Sequence, residues 1–345
     1  MKALVYYGPG DLRLDDRPEP TPGRDEVLIK MRAVSICGSD LGAYQLPEIS
    51  PRWEPPIVLG HEFSGEIAGF GEDVKNFKIG QAVTANPILY CGECYYCRNG
   101  QFNLCPNRGS LGTSIGGVRH DGAMQEYLTV RARNVFALPQ GVSFVQGALA
   151  EPLAVTLAAA KIGDWGDGER VLIIGMGPIG QMILKFLKAQ GNKKVFVSDV
   201  IPIRLQLAGE IGADALINGK EDVAAKINQL TDGIGVDRVI IAAGVPGVIE
   251  SSFKLVRNGG RIVLVALLHH PAEIDPMQIV GRQISILGSY MFTNEFAEVL
   301  KMIAEKKIYV DDLVTSTCPL ATGKAQFDAL SSVNSKDVKV ILTNE

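Results

Sequence analysis

The sequence has no uninterrupted run of the ~20 apolar residues that a membrane-spanning helix needs. Its two most apolar stretches, residues 147–162 and 239–249, are broken by Glu151-Pro152 and by Gly244, Pro246 and Gly247. Nor does the start resemble a signal peptide, because residues 1–6 run straight into Gly8-Pro9-Gly10, too short for an apolar h-region. Positive charge is not in excess: 34 Lys and Arg face 38 Asp and Glu, a net −4. Nucleic acid and anionic membrane surfaces therefore have no electrostatic footprint to meet. There is no internal repeat and, despite 38 glycines, no collagen period. These absences exclude a membrane, collagenous or disordered protein and leave a soluble, cytoplasmic one as the expectation. Histidine and cysteine are also sparse, four and six. In a reducing compartment, clustered cysteines are read as metal ligands before disulfides.

What is present suits a sizeable buried core: 345 residues, 46% hydrophobic and 21% charged. At ~150 residues per domain the length suggests two domains. The first part reads as short strands between many turns. Residues 28–34 alternate in the half-buried strand manner, and Gly or Pro punctuation recurs at 18–23, 55–56, 69–71 and 109–117. From about Glu151 the texture changes. Continuous apolar runs at 170–175, 195–199, 215–217, 237–243 and 261–266 alternate with helical patterns such as 180–190 and 203–211, each of these two followed by a glycine. Strands alternating with helices predict a doubly wound parallel sheet. The fold class expected is thus α/β, with a β-rich domain followed by an α/β one.

Gly175-Met176-Gly177-Pro178-Ile179-Gly180 follows an apolar strand and opens a helical pattern, and Asp199 ends the next strand 19 residues on. That context turns a weak G-x-G-x-x-G into a dinucleotide fingerprint. The first glycine permits the tight turn, the second admits the pyrophosphate, and the third lets helix and strand pack closely. Asp199 is the expected acceptor for the adenosine ribose hydroxyls. Its charge would repel a 2′-phosphate and Val200 offers no compensation, so NAD is expected over NADP, with Arg204 nearby.

Cys91, Cys94, Cys97 and Cys105 place four thiols within fifteen residues. A tetrahedral zinc suits such a cage, and a closed four-sulfur site leaves no position for substrate, so its task is structural. The spacing is not a ferredoxin run. Cys37 lies apart, in Ile36-Cys37-Gly38-Ser39-Asp40; His61 precedes Glu62 in Gly60-His61-Glu62-Phe63-Ser64-Gly65; and Glu151 interrupts an apolar run. A carboxylate there costs several kcal/mol unless paired or metal-bound. Taken singly, a buried cysteine packs, a histidine satisfies a polar neighbour, and a glutamate before proline starts a helix.

Together and in this order, the Cys37 segment, the His61-Glu62 segment, the cysteine quartet and the fingerprint resemble the zinc-dependent medium-chain dehydrogenases. The similarity runs over essentially the whole chain and lies with the polyol branch of sorbitol, galactitol-1-phosphate, butanediol and threonine dehydrogenases. The resemblance implies a GroES-like catalytic domain built from 1–151 and 289–345, with a Rossmann NAD-binding domain, 152–288, inserted between. It makes Cys37, His61, Glu62 and Glu151 the catalytic zinc set, of which either Glu62 or Glu151 detaches or acts through water, since four protein ligands would close a tetrahedral metal. Two zinc ions per chain, one catalytic and one structural, and NAD follow. The implied reaction moves hydride between a secondary alcohol or polyol (or its ketone) and NAD, with Ser39 passing the proton. L-threonine 3-dehydrogenase, or a non-catalytic NAD sensor on the same scaffold, are the alternatives. A homotetramer or dimer is expected, with no nucleic-acid partner.

Two departures stand out. Gly42 occupies a place where many relatives have histidine, so Glu62, Glu151 or water must finish the proton relay. Met291 and Phe292 stand, in ungapped matching, where sorbitol dehydrogenases carry an Arg-Tyr pair. Tyr44, Trp53, His120 and the pair His269-His270 are further pocket candidates that packing or solvation explains as well, and Cys318 matches no ligand position. The glycine-rich stretch 109–121 has no assigned role.

Overall fold

The computed structural model describes residues 1–47, 53–115, 118–163, 166, 168–191, 194–268, 270–332, 335 and 337–344. The chain divides into two compact units, one formed by Met1–Ala154 with Thr293–Glu345 and the other by Val155–Phe292. The first divide falls inside the helix Ala150–Gly163.

The first unit is built on a seven-stranded sheet. Its path runs Val135–Ala137, Ala82–Ala85, Glu62–Phe70, Glu26–Ser35, Val340–Thr343 and Ser316–Pro319, with Tyr127–Arg131 also paired to Glu26–Ser35. The alternation seen at 28–34 belongs to the long Glu26–Ser35 strand. It is buried more fully than a half-buried strand, with Val27, Leu28 and Ile29 all inside. Two register shifts, at Leu28/Ile29 and Met31/Ala33, interrupt its ladder with Glu62–Phe70, and such bulges bend a strand and increase its twist. A core that includes Tyr6, Ile29, Met31, Phe63, Met124 and Phe327 lies in this unit.

Three backbone facts gather chemistry at one end of this sheet. Cys37 lies two residues beyond Ser35, and Ser35 is paired with Glu62, the first residue of its strand. Antiparallel pairing of Ile341 with Ser35, and the Ile36 N–H donating to the Val340 carbonyl at 3.0 Å, bring the C-terminal strand to the same place. Residues 37, 61–62 and 339 therefore meet although they are spread over some three hundred positions.

The second unit is a six-stranded sheet, parallel throughout. Its order is Ala215–Asn218, Lys194–Asp199, Arg170–Ile174, Val236–Ile241, Val256–Leu264 and Ser285–Gly288. That order, two halves running outward from Arg170–Ile174, is the doubly wound Rossmann arrangement. The apolar runs are continuous because both faces of the sheet are covered: Val236–Ile241 is buried at every position. The helix Pro178–Ala189 starts with proline in its first turn, where the missing N–H is harmless, and the helix Pro202–Ile211 ends on Gly212 at φ 106°. Among the described residues, no helix is long and apolar enough to cross a membrane.

Candidate metal centres and nucleotide site

Cys37 is the N-cap of the helix Gly38–Gln45. Asp40, at the third helical position, turns back to accept the Cys37 N–H at 3.0 Å through Oδ2 and the Gly60 N–H at 3.3 Å through Oδ1. One fully buried carboxylate thus fastens the backbone of both metal-candidate segments, the ones holding Cys37 and His61. His61 Nδ1 lies 3.7 Å from the same Asp40 oxygen. The ligand atoms of Cys37, His61 and Glu62 all lie within 4.8 Å of one another. Glu151, in the first turn of its helix, is buried but falls outside that trio, and its effect on it is electrostatic.

The surroundings of the trio favour a cation. Burial pulls the His61 imidazole down, but Cys37, Asp40 and Glu151 outweigh it and leave the group well above its ordinary value. Burial raises the Asp40 carboxyl. Burial, with Glu62 and Asp40 adding to it, pushes Glu151 up to about 7 against the pull of His61 and Lys339. One thiol, one imidazole and one carboxylate, drawn together in an anionic pocket, are a donor set that zinc accepts while keeping a further position open. Ser39, in the first turn of the Gly38–Gln45 helix, is half-buried.

A buried lysine joins this pocket. Lys339, just before the C-terminal strand, donates from Nζ to Glu62 Oε2 at 2.5 Å and to the Ile36 carbonyl at 3.3 Å. Glu62, Cys37 and Glu151 hold its ammonium charged against a burial penalty that alone would lower it. Neither Asp40 nor Lys339 was among the residues expected from sequence. Asp40 could have been found as an acid three residues after a helix-capping cysteine, and Lys339 as a lysine inside the apolar run 338–342.

The cysteine quartet forms a second cage. Cys94 caps the short helix Tyr95–Arg98 and its Sγ accepts the Cys97 N–H at 3.5 Å. Cys91 Sγ lies 3.6 Å from Cys105 Sγ and 3.9 Å from Cys97 Sγ. Zinc–sulfur bonds of ~2.3 Å in a tetrahedron require sulfur–sulfur edges of roughly 3.8 Å, so these spacings fit zinc. Backbone N–H groups of Glu93 and Cys94 lower the Cys91 thiol to about 6, while burial raises Cys97 to about 12. All six cysteines are free of disulfides.

In the second unit, Gly175 has φ 97°, a left-handed turn that favours glycine, and a Cβ on Gly180 would run into the Gly175 carbonyl. The backbone thus calls for glycine at the first and third fingerprint positions. Gly177 caps the Pro178–Ala189 helix, with Ile179 and Gly180 in its first turn. Asp199 differs from expectation in one respect. Its Oδ2 already accepts the Met176 N–H at 2.6 Å and its Oδ1 the Ile201 N–H at 2.8 Å, so the acid also ties the fingerprint loop to its own strand end. Arg204 Nη1 stands 3.9 Å from Asp199 Oδ2.

The remaining candidates are placed as follows. Tyr44 donates to Asp328 Oδ1 at 2.5 Å and packs edge-on against Phe327, which makes it a packing residue. Trp53 is buried, and its Nε1 has no hydrogen-bond partner among the described residues. His120 ends the strand Val118–His120, and burial lowers its imidazole. His270 is exposed and His269 lies outside the described residues. Met291 is in the left-handed region at φ 54°, and Phe292 is buried. Cys318 is half-buried beside Ser316. A groove of about 870 Å³ in the first unit borders Arg17, Arg108, His120 and Arg131, but none of Cys37, His61, Glu62 and Glu151 lines it.

Comparison with known proteins agrees with this geometry. Residues 23–140 match the alcohol dehydrogenase GroES-like domain, and residues 178–305 match the zinc-binding dehydrogenase domain. The chain is 34% identical to a sorbitol dehydrogenase of Bacillus subtilis, over 99% of this chain and 97% of that one. It is 32% identical to the D-arabitol-phosphate dehydrogenase of Enterococcus avium, again over 99% and 97%. Among solved structures, the alcohol dehydrogenase rspB of Escherichia coli CFT073, complexed with NADH, superposes with a TM-score of 0.92 at 32% identity, covering 100% of this chain and 99% of that one.

Proposed function

The chain belongs to the zinc-dependent medium-chain dehydrogenases, in their polyol branch, and on that premise we propose how its own residues divide the work. The activity is that of an NAD- and zinc-dependent alcohol or polyol dehydrogenase, moving hydride between a secondary alcohol and the nicotinamide. The observation that carries the assignment of residues is the convergence of the Cys37, His61 and Glu62 ligand atoms within 4.8 Å.

Cys37, His61 and Glu62 would hold the catalytic zinc, with Glu151 as an outer carboxylate. Cys91, Cys94, Cys97 and Cys105 would hold the structural one. Gly175, Gly177, Pro178, Ile179 and Gly180 would cradle the NAD pyrophosphate, with Asp199 and Arg204 at the adenosine ribose. When bound, the metal supplies Lewis acidity toward a substrate hydroxyl and NAD supplies the hydride acceptor. Asp40 holds the Cys37 and Gly60 backbones so that the ligands need not reorganise. Ser39 receives the hydroxyl proton and hands it on. With glycine at position 42, the proton leaves through a carboxylate, Glu151 or Glu62, or through water.

The catalytic domain on this reading is 1–151 with 289–345, the NAD-binding domain is 152–288, and the protein works in the cytoplasm as a homotetramer or dimer. A polyol, diol or sugar-alcohol phosphate is the substrate class. Cys37→Ala tests the assignment: it should abolish NADH formation with every alcohol while leaving NADH binding nearly intact, and unchanged turnover would refute it. Two zinc ions per chain by metal analysis should accompany activity. A panel of sorbitol, 2,3-butanediol, galactitol 1-phosphate and L-threonine then ranks the substrates.

A further inference from the structure

A lysine is seldom fully buried unless its charge is paired. Lys339 is only 2% exposed, and its partner Glu62 1%. The position is set by the sheet: the C-terminal strand pairs with the end of Glu26–Ser35, which places residue 339 against Ile36 and Glu62. Two of the three ammonium donors are used, one on the Glu62 carboxylate and one on the carbonyl just before Cys37.

We propose that Lys339 is a positioning residue of the catalytic metal centre, competing with zinc for the Glu62 carboxylate and so keeping Glu62 a ligand that can be displaced. This rests on the reading above that Cys37, His61 and Glu62 face the zinc. A carboxylate that shares its charge with an ammonium donates less to a metal, and the ammonium itself repels a divalent cation. Both effects weaken the Glu62–zinc interaction. A catalytic zinc needs an open position for substrate, and Cys37, His61, Glu62 and Glu151 offer more groups than an open site can take. Lys339 selects Glu62 as the one that yields, because among these groups it is the Glu62 side chain that Lys339 is recorded to bond.

A purely structural role predicts the opposite sign. If Lys339 only neutralised a buried glutamate, removing its charge would loosen the fold around the ligands and zinc would leave sooner or unchanged. Competition predicts that zinc stays longer. The experiment measures zinc release from the holoenzyme to a colorimetric chelator, with the quartet zinc as internal reference. Lys339→Gln, which keeps an N–H for the Ile36 carbonyl, should slow release of the catalytic zinc by about tenfold or more, the scale of outer-shell effects on metal affinity. Lys339→Arg, keeping the charge, should release at close to the wild-type rate. In a Glu62→Gln background the slowing should shrink to less than about threefold, because no carboxylate is left to compete for.

Release that is unchanged or faster in Lys339→Gln overturns the proposal, as does a slowing just as large in the Glu62→Gln background. Should Lys339→Gln not accumulate as folded protein, Lys339→Met is measured in the same way. Cobalt substitution gives an independent readout on Lys339→Arg and wild type: matching visible bands support a charge-set coordination, and a band altered in Lys339→Arg overturns it. One zinc per chain in the wild type would overturn the reading of the centre itself. Two zincs with unaltered release would overturn only the role of Lys339.

Discussion

Asparagine at position 199 should shift the cofactor preference toward NADP, and the structure sets how far. Asp199 is 8% exposed, and each of its oxygens accepts a backbone N–H, Met176 at 2.6 Å and Ile201 at 2.8 Å. Asparagine has the same shape but one acceptor oxygen, so one of those N–H groups must face an amide NH₂. Loss of a hydrogen bond to a charged acceptor costs about 1.5–3 kcal/mol, which will appear as a lower melting midpoint. The second effect is on Arg204, whose Nη1 is 3.9 Å from Asp199. At that separation a unit pair is worth about 1 kcal/mol in a water-like medium and about 4 at an effective dielectric of 20. The Arg204 side chain is 34% exposed, so the value lies near the lower figure. Neutralising Asp199 releases that guanidinium and removes a negative charge that a 2′-phosphate would meet. A gain of about 1–2 kcal/mol for NADP corresponds to roughly 5–30-fold in kcat/KM relative to NAD. Steady-state rates with both cofactors at saturating alcohol measure the ratio, and NADH fluorescence titration confirms that the variant still binds nucleotide. A folded Asp199→Asn protein that binds NADH with an unaltered NADP/NAD ratio would refute this account of the acid.

Three further outcomes follow from particular contacts. Cys105→Ser removes a fully buried thiol 3.6 Å from Cys91; zinc content should fall from two ions to one per chain, and thermal inactivation should quicken while alcohol oxidation in the cold persists. Gly180→Ala drives a methyl group into the Gly175 carbonyl; the fingerprint turn must shift, and Kd for NADH, read by fluorescence, should rise about tenfold or more. Burial pushes Asp237 up, but the Arg170 backbone N–H and the Arg257 guanidinium outweigh it and hold the carboxyl below its ordinary value. A depressed carboxylate contributes stability above its unfolded value, about 3.9, and loses it as pH falls through the folded one. Asp237→Asn should therefore cost about 1–3 kcal/mol at neutral pH, and the gap to wild type in denaturant midpoint should close once the medium is acid enough to protonate the wild-type carboxyl.

The second unit was legible almost strand by strand because its signals are local. A parallel strand buried on both faces is a continuous apolar run, and a helix end is marked by its own glycine, as at Gly191 and Gly212 with φ 69° and 106°. The first unit was legible only as β-rich. Its strands are short, and its central Glu26–Ser35 strand pairs with partners at 62–70, 127–131 and 340–343. Nothing within a window of ten or fifteen residues encodes a pairing between residue 35 and residue 341. The two bulges in that strand break the alternation that would otherwise have fixed which side chains face the core.

The same distinction governs the site. The quartet and the Cys37–Asp40 segment are short-range objects, so spacing alone brings their atoms together. Glu151 was noticed because a carboxylate in an apolar run needs compensation, and that reasoning applies with equal force to Lys339 in the run 338–342. A buried charge announces that an opposite charge exists somewhere and cannot say where, and here the partner of Lys339 is 277 residues away. The two signals are complementary once placed: acidic groups at 40, 62 and 151 crowd around the Cys37–His61 pair, and a single ammonium is recorded among them. Burial raises the Asp40 and Glu151 carboxyls, and Lys339 with the raised His61 imidazole answers part of this acidic cluster. A divalent cation held by Cys37, His61 and Glu62 would ease the cost of keeping the buried acids ionised, which is an argument for the metal beside the one from ligand spacing.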